Sequence, residues 1–255
     1  MTTHLDSAVI AQQLAHKSVR QFLDTPVSDA QVERIVTAAQ RASTSSNLQV
    51  WSVIAVRDPA RKARLAEALG GHQYIATAPV FLVWVADLAR NEALMRAHGA
   101  ESETLGLIEN TLIGAIDVGI AAQNALLAAE SLGLGGVFVG GIRNAPEAVS
   151  AELGLPRHAF AMVGMSIGVP DPTEGTGVKP RLPLAGVLHP ETYDPERWRS
   201  ATAEYEGTYE AYFAGQGHPG RSWARTVIGR LAKIAGMHGR HTMRASLRAQ
   251  GFDSE

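Results

Sequence analysis

The sequence predicts an α+β fold of the α/β type, a sheet packed around one long buried helix. Three observations predict it. Short runs rich in valine and isoleucine, Val50–Val56 and Val80–Ala86, alternate with segments of helical periodicity. The stretch from about Leu105 to about Leu132 is interrupted by charge at Glu109, Asp117 and Glu130 only. It reads as a helix in the middle of the molecule rather than a membrane span. Two further β-like runs, Val137–Val139 and Phe160–Ile167, follow it. The order of the strands is left open by these patterns.

The elements follow in order. Ala8–Ala15 has helical character, and a polar-basic turn, His16 to Arg20, comes next. Ser28 with Gln31 three residues later forms a capping-box pattern. Val32, Ile35, Val36 and Ala39 behind it recur at helical spacing. That helix runs into the hydroxyl-rich Ser43–Ser46. Val50–Val56 and Val80–Ala86 both read as strands buried on two faces. Between them Pro59 opens a helix that stops at Gly70-Gly71. Gly133–Gly136 ends the long helix, Gly140-Gly141 closes the third strand, and Asn144 is expected to cap a short helix, Ala145–Leu153. Prolines and glycines from Pro170 to Gly177 mark a loop. Lys179–Pro183 is extended, and Asp194-Pro195 opens a helix carrying Trp198, Tyr205, Tyr209 and Tyr212.

Composition excludes several chemistries. The chain has 255 residues, 45% apolar and 19% charged, which suits one sizeable core with an appendage. The net charge of -2 argues against nucleic acid or an acidic membrane as partner of the whole chain. Without cysteine there is no disulfide, thiolate nucleophile or cysteine-ligated metal. Met1–Ser7 lacks a basic region leading into an apolar run, so a cytoplasmic location is expected. No HExxH or G-x-S-x-G pattern occurs, so neither a metal site nor a hydrolase is expected. The tail from Gly215 to Phe252 has no acidic residue. It could be a nucleic-acid arm, but a solvated or packed helix fits the near-neutral chain better.

The remaining constellations point to an anionic, planar ligand. Gly133–Gly136 resembles a dinucleotide fingerprint, yet it closes a helix and opens a strand, the reverse of the Rossmann order. A turn explains it. Gly140-Gly141 at a strand end would let a flat ligand reach the backbone. His16/Arg20 and Lys179/Arg181 are basic pairs suited to phosphate oxygens. Each also has an ordinary reading as turn or surface charge.

In this order, the motifs resemble the nitroreductase superfamily, in particular the oxygen-insensitive NADPH nitroreductases and NADPH–flavin oxidoreductases. The resemblance rests on His16-x-Ser18-x-Arg20, the loop Ser43–Ser46 with Leu48-Gln49, the strand Ala78–Asp87, Ala121–Ala125 and Ala129–Gly133 on the long helix, Gly135–Asn144, and Lys179–Pro183. It runs from about His16 to about Leu188. It implies a central, mostly antiparallel sheet flanked by helices around a long buried helix, in an intertwined homodimer. It implies an FMN-binding core at 1–190 and a C-terminal helical extension at 191–255 that packs on the core or the partner.

Carried over residue by residue, His16, Lys17, Ser18, Arg20 and Arg181 resemble the clamp on the FMN phosphate and ribityl chain. Thr44, Ser45 and Ser46 resemble flavin contacts, and Lys179 the cation at the pyrimidine edge. Phe138, Val139, Gly140 and Gly141 resemble the strand end beside the ring. Relatives often have tyrosine where Phe138 stands. A glutamine that reaches FMN across the interface corresponds to His72 or to Gln73. Arg240, and less closely Arg221, correspond to an arginine that recognises the NADPH 2′-phosphate, which favours NADPH as co-substrate over NADH. The implied activity is two-electron transfer from NAD(P)H, through FMN, to nitroaromatics, quinones, free flavin, azo dyes or chromate. A flavin-binding sensor without turnover is the alternative.

Overall fold

The protein is described by a computed structural model covering residues 7–252. These divide into two compact units. One comprises the chain up to Glu174 together with the segment from Gly239 onward; the other is Gly175–His238.

In the first unit, α1 (Ala8–Leu14) and α2 (Asp29–Ala39) lead into β1 (Trp51–Val56). The Ser28–Gln31 capping box at α2 is present in both directions. Next come α3 (Pro59–Ala68), α4 (Gln73–Ala76), β2 (Val80–Asp87), α5 (Ala89–Ala97) and α6 (Ile108–Ser131). After α6 follow β3 (Gly135–Val139), α7 (Pro146–Leu153) and β4 (Ala159–Gly168). The strands form a four-stranded sheet of order β1-β2-β4-β3 in which every neighbouring pair is antiparallel. In the second unit, α8 (Pro195–Gly215) and α9 (Trp223–Leu231) pack through Tyr205, Tyr209 and Phe213 with Leu182, Tyr212 and Trp223. The last helix, α10 (Met243–Ala249), belongs again to the first unit.

The sheet has two covered faces. Alternate residues of β2 supply both: Leu82 and Trp84 pack with α6 residues such as Val118, Ala122 and Leu126, whereas Phe81, Val83 and Val85 pack with Leu65, Leu69 and Val149. Burial of each such side chain contributes about 1.5–3 kcal/mol. Packing within the sheet is tight at Gly164 of β4, where a β-carbon would overlap the Phe81 ring and lie 3.3 Å from Val139 Cβ. Gly164→Ala is therefore expected to destabilise the protein by about 1–3 kcal/mol, read as a lowered denaturant midpoint.

Three expectations need correction. β1 is not buried on both faces: it is an edge strand, and only Val56 in it is buried. The long helix is not buried all round. It covers the sheet with one face, while Ile108, Leu112, Ile116 and Ile120 are 42, 50, 58 and 43% exposed along another. It is also the one helix among the described residues long and apolar enough to cross a membrane, yet it packs on the sheet and buries Asp117. Asn144 does not cap α7. Ala145 holds that position without a side-chain hydrogen bond.

The chain end is fastened to the turn before β4. His158 N–H donates to Gln250 O at 2.7 Å, Gln250 Nε2 donates to Pro156 O at 2.7 Å, and Phe252 is fully buried beside Phe160. His158 Nδ1 also bonds Glu92 Oε2 at 2.6 Å, tying α5 to the same turn. That hydrogen bond, aided by the Arg96 and Arg157 charges, holds the Glu92 carboxyl below the usual carboxylate range. A carboxylate with a depressed folded value stabilises the fold above its unfolded pKa of about 4.3, and that contribution is lost as pH falls through the lower folded value. Glu92→Gln is expected to lower the melting temperature at neutral pH and to flatten its decline as pH falls below the unfolded value of about 4.3. An acid limb as steep as that of the parent protein would contradict this.

Candidate functional site

Two glycines bring the His16–Arg20 turn onto the sheet. A β-carbon at Gly135 would stand 2.7 Å from Val19 Cγ2, and one at Gly136 would stand 2.9 Å from Leu126 Cδ1. Their bareness lets Val19 N–H donate to Gly136 O at 3.0 Å, with Ser18 bridged to Gly136 in parallel sense. His16, Ser18 and Arg20 are thereby laid along β3. His16 Nδ1 meets Glu130 Oε1 at 2.5 Å near the end of α6, which leaves Nε2 for another partner. The Glu174 carboxylate accepts the backbone N–H groups of Arg20 and Gln21 at 3.0–3.2 Å. Arg20 Nη1 donates to Ser18 O at 3.4 Å.

The second wall comes from the turn after α3. Gly70 and Gly71 take φ of 102° and 77°, a region that favours glycine, and they swing His72 back toward β3. The His72 ring stacks on Tyr74 with centroids 5.2 Å apart. It lies 3.3 Å from where a Gly141 β-carbon would be. Burial raises the Tyr74 phenol, and the Arg20 cation opposes that rise. Tyr74, His72 and Gly141 thus lie side by side, and Arg20 is near enough for its charge to bear on the Tyr74 phenol. Of the two candidates in this turn, His72 is the one whose ring lies against the glycines; Gln73 is the exposed first residue of α4.

Gly140 adds open space. The atoms nearest to a β-carbon there would be Arg143 Nη2 at 3.7 Å and Arg240 Nη1 at 3.9 Å. Arg240 Nε donates to Asn144 Oδ1 at 2.7 Å. One unit therefore gathers His16, Ser18, Arg20, His72, Gly140, Gly141 and Arg240. Cationic forks and a bare strand end suit a flat, phosphorylated ligand.

Other expected residues stand apart. Thr44 Oγ1 donates to Asp117 Oδ2 at 2.5 Å and accepts from Gln49 N–H at 2.9 Å; Ser45 N–H donates to Asp117 Oδ1 at 3.1 Å. Ser46, Asn47 and Gln49 all take left-handed φ, of 48°, 56° and 53°. This loop hangs on Asp117, while His16 hangs on Glu130, further along the same helix. At 1.5 Å per residue the two anchors are on the order of 20 Å apart. Phe138 and Val139 point to opposite faces: Val139 is 1% exposed and packs in the core, whereas Phe138 is 36% exposed. Phe138 lines a cavity of about 400 Å³ with Gly119, Gln123 and Arg143. Lys17 is exposed. In the second unit, Arg181 Nη1 donates to Lys179 O at 3.0 Å, Tyr205 Oη donates to Pro180 O at 3.0 Å, and Arg221 lies over the Phe213 ring at 4.2 Å. The Lys179–Arg181 segment is thus braced against α8.

Sequence reasoning missed the supports. Glu130, Glu174, Tyr74 and Asp117 hold candidate ligands in place, and none carried a functional signal. His16 and Glu130 are 114 positions apart, and Arg20 and Glu174 are 154 apart. Only the folded chain pairs them.

A four-stranded antiparallel sheet backed by a long helix, with a cationic, glycine-opened strand end, defines a class of ligand-binding α+β protein. Residues 14–169 match the Nitroreductase family, and residues 179–255 match the Nitroreductase family, C-terminal domain. The chain is 40% identical to the NADPH-flavin oxidoreductase of Vibrio harveyi over 86% of its own length and 89% of that protein. It is 36% identical to the FMN reductase [NAD(P)H] of Bacillus subtilis over 97 and 98% of the two chains. The structure of B. megaterium NfrA2 superposes with a TM-score of 0.92 at 35% identity, over 98% of this chain and 100% of that one. The chain belongs to the nitroreductase family.

Proposed function

We propose that the protein is an FMN-dependent NAD(P)H oxidoreductase, a cytoplasmic homodimer that passes two electrons in ping-pong order to nitroaromatics, quinones or free flavin. The observation that carries this reading is the set of His16, Ser18 and Arg20 laid along β3, at whose end Gly140 leaves a bare backbone with Arg240 Nη1 3.9 Å from where its β-carbon would be. A ring could lie against Gly140, where the atom nearest to a β-carbon would be 3.7 Å away, and its phosphate would meet His16, held by Glu130, and Arg20, whose backbone N–H Glu174 accepts. Bound FMN would supply the redox chemistry, taking a hydride from the nicotinamide and releasing the electron pair to the acceptor.

The residues of the chain bind, orient and compensate charge. The family resemblance assigns His16, Lys17, Ser18, Arg20 and Arg181 to the phosphate and ribityl end of the flavin. Ser45 and Ser46 meet the flavin through a loop that Thr44 fixes to Asp117. Lys179, which the resemblance assigns to the pyrimidine edge, would stabilise negative charge there on reduction. Of the two arginines assigned to the NADPH phosphate, Arg240 is favoured over Arg221, because Asn144 holds it beside Gly140 while Arg221 packs on Phe213.

Two copies of the chain are supported by the exposed Leu112, Ile116 and Ile120, one helical turn apart on α6. The separation of the Asp117 and Glu130 anchors supports the same arrangement, with the hydroxyl loop of one copy serving the flavin of the other.

Lys179→Ala is expected to slow flavin reduction by NADPH roughly tenfold to a hundredfold, the scale of one charge-stabilising donor, and to weaken FMN binding. Rapid-mixing absorbance on FMN-saturated protein measures it. An unaltered rate would remove Lys179 from this role. Varying NADPH and a quinone together tests the reaction order: parallel double-reciprocal lines support ping-pong, and converging lines oppose it. Absence of NADPH consumption with any acceptor would favour the sensor reading.

A further inference from the structure

The Asn144 side chain has no role in capping α7, yet both ends of its amide are occupied. Oδ1 accepts from Arg240 Nε at 2.7 Å, and Nδ2 donates to Leu69 O at 3.4 Å, in the turn that carries His72. Chemistry fixes this amide orientation, because a guanidinium offers only donors and a carbonyl only an acceptor. The backbone grips the same place: Asn144 O lies 3.3 Å from where a β-carbon of Gly239 would be, and Gly239 takes φ of 87° just before Arg240. Arg240 is thus held through Nε by a residue 96 positions away, and the backbone just before it packs on the same residue. Arg240 Nη1 lies 3.9 Å from where a β-carbon of Gly140 would be.

We propose that Asn144 is a positioning residue for the electron donor: its amide fixes the Arg240 guanidinium for the ribose phosphate of NADPH and ties that arginine to the His72 turn. The proposal rests on the reading of Arg240 as the group that meets this phosphate. A long arginine loses considerable rotamer freedom on binding an anion. Holding Nε beforehand removes part of that cost, and it benefits only a donor that carries the phosphate. Asn144 therefore sets the preference between NADPH and NADH without touching the reacting atoms.

The test uses FMN-loaded protein and the probes NADP+ and NAD+, with affinities measured by calorimetry and kcat/KM measured for both reduced donors. Asn144→Leu is expected to lower the ratio of NADP+ to NAD+ affinity about tenfold, the lower range for losing a hydrogen bond to a charged group, and to lower the kcat/KM ratio in parallel. Asn144→Ala carries the same expectation should leucine prevent folding. In both variants the affinity for NAD+ is expected to stay at the parental value, because that dinucleotide carries no ribose phosphate for Arg240 to meet. A purely structural role predicts that the two affinities fall together and the ratio is kept, which would overturn the proposal. In an Arg240→Ala background, Asn144→Leu is expected to lower the ratio no further. An additional fall there, or a parental ratio in Asn144→Leu alone, would also overturn it. A parental ratio in Arg240→Ala alone would be a different failure: the reading of Arg240 would fall, and the proposal with it.

Discussion

Asp117→Ala is expected to lower the melting temperature by about 6–12 °C and to leave a protein that loses FMN on dialysis. Asp117 is 2% exposed, and its carboxylate accepts from Thr44 Oγ1 and Ser45 N–H. Removing it leaves two inward-facing donors without that partner, at about 1–3 kcal/mol each. A total near 3 kcal/mol corresponds to roughly 2–4 °C per kcal/mol in a chain of this size. The loop also holds Ser46, Asn47 and Gln49 in left-handed conformations that persist only where surroundings enforce them. With the anchor gone, Ser45 and Ser46 would no longer be presented as a fixed pair. Calorimetry and the flavin absorbance of dialysed protein read both effects. Asp117→Asn, which keeps one acceptor oxygen, should fall between the two. A variant that melts with the parent and keeps its flavin would show that Asp117 does not organise this loop.

The second large effect is expected at Ile116→Glu. Ile116 is 58% exposed in one copy and stands between Leu112 and Ile120 on the apolar face of α6. A carboxylate there barely disturbs a lone protomer, since the position faces outward. Between two copies it would be buried without a partner, at a cost of several kcal/mol. Since 1.4 kcal/mol is tenfold, the dimer should loosen by about a thousandfold. FMN retention should fall in step, because each flavin site is proposed to draw on both copies. Sedimentation velocity at micromolar concentration should show a dimer for the parent and a monomer for the variant. A dimer of parental affinity in the variant would move the interface elsewhere.

These two sites also mark where the sequence was legible and where it was not. The capping box at Ser28, Pro59 as a helix opener and the buried β2 run depend on neighbours a few residues away, and local chemistry reports them. The long helix was legible as a helix but not as a half-exposed one. Its composition is the same whether the apolar face meets its own sheet or a second copy. β1 has the composition of a central strand and is an edge because, among the described residues, no strand pairs on its far side. Gly135 and Gly136 were read as a turn, and the turn itself falls at Gly133 (φ 78°), whereas those two are bare so that Val19 and Leu126 can approach. His72 and Gln73 could not be separated by alignment; the Gly70-Gly71 turn separates them by aiming one ring at Gly141. Asn144 looked like a cap because asparagine before a proline-led helix usually is one. Its partner, Arg240, is far away in the chain, as are the partners of His16 and Arg20. Electrostatic supports of this kind leave no periodic trace.

Dispersed cations and a bare strand end are proposed to grip one flavin. The most direct measurement is the amount of FMN released by denaturing purified protein that has been incubated with excess FMN and desalted. One FMN per chain, bleached by NADPH before denaturation and lost in Arg20→Ala, is the expected result. A colourless parent protein, or FMN held equally well by Arg20→Ala, would contradict the account.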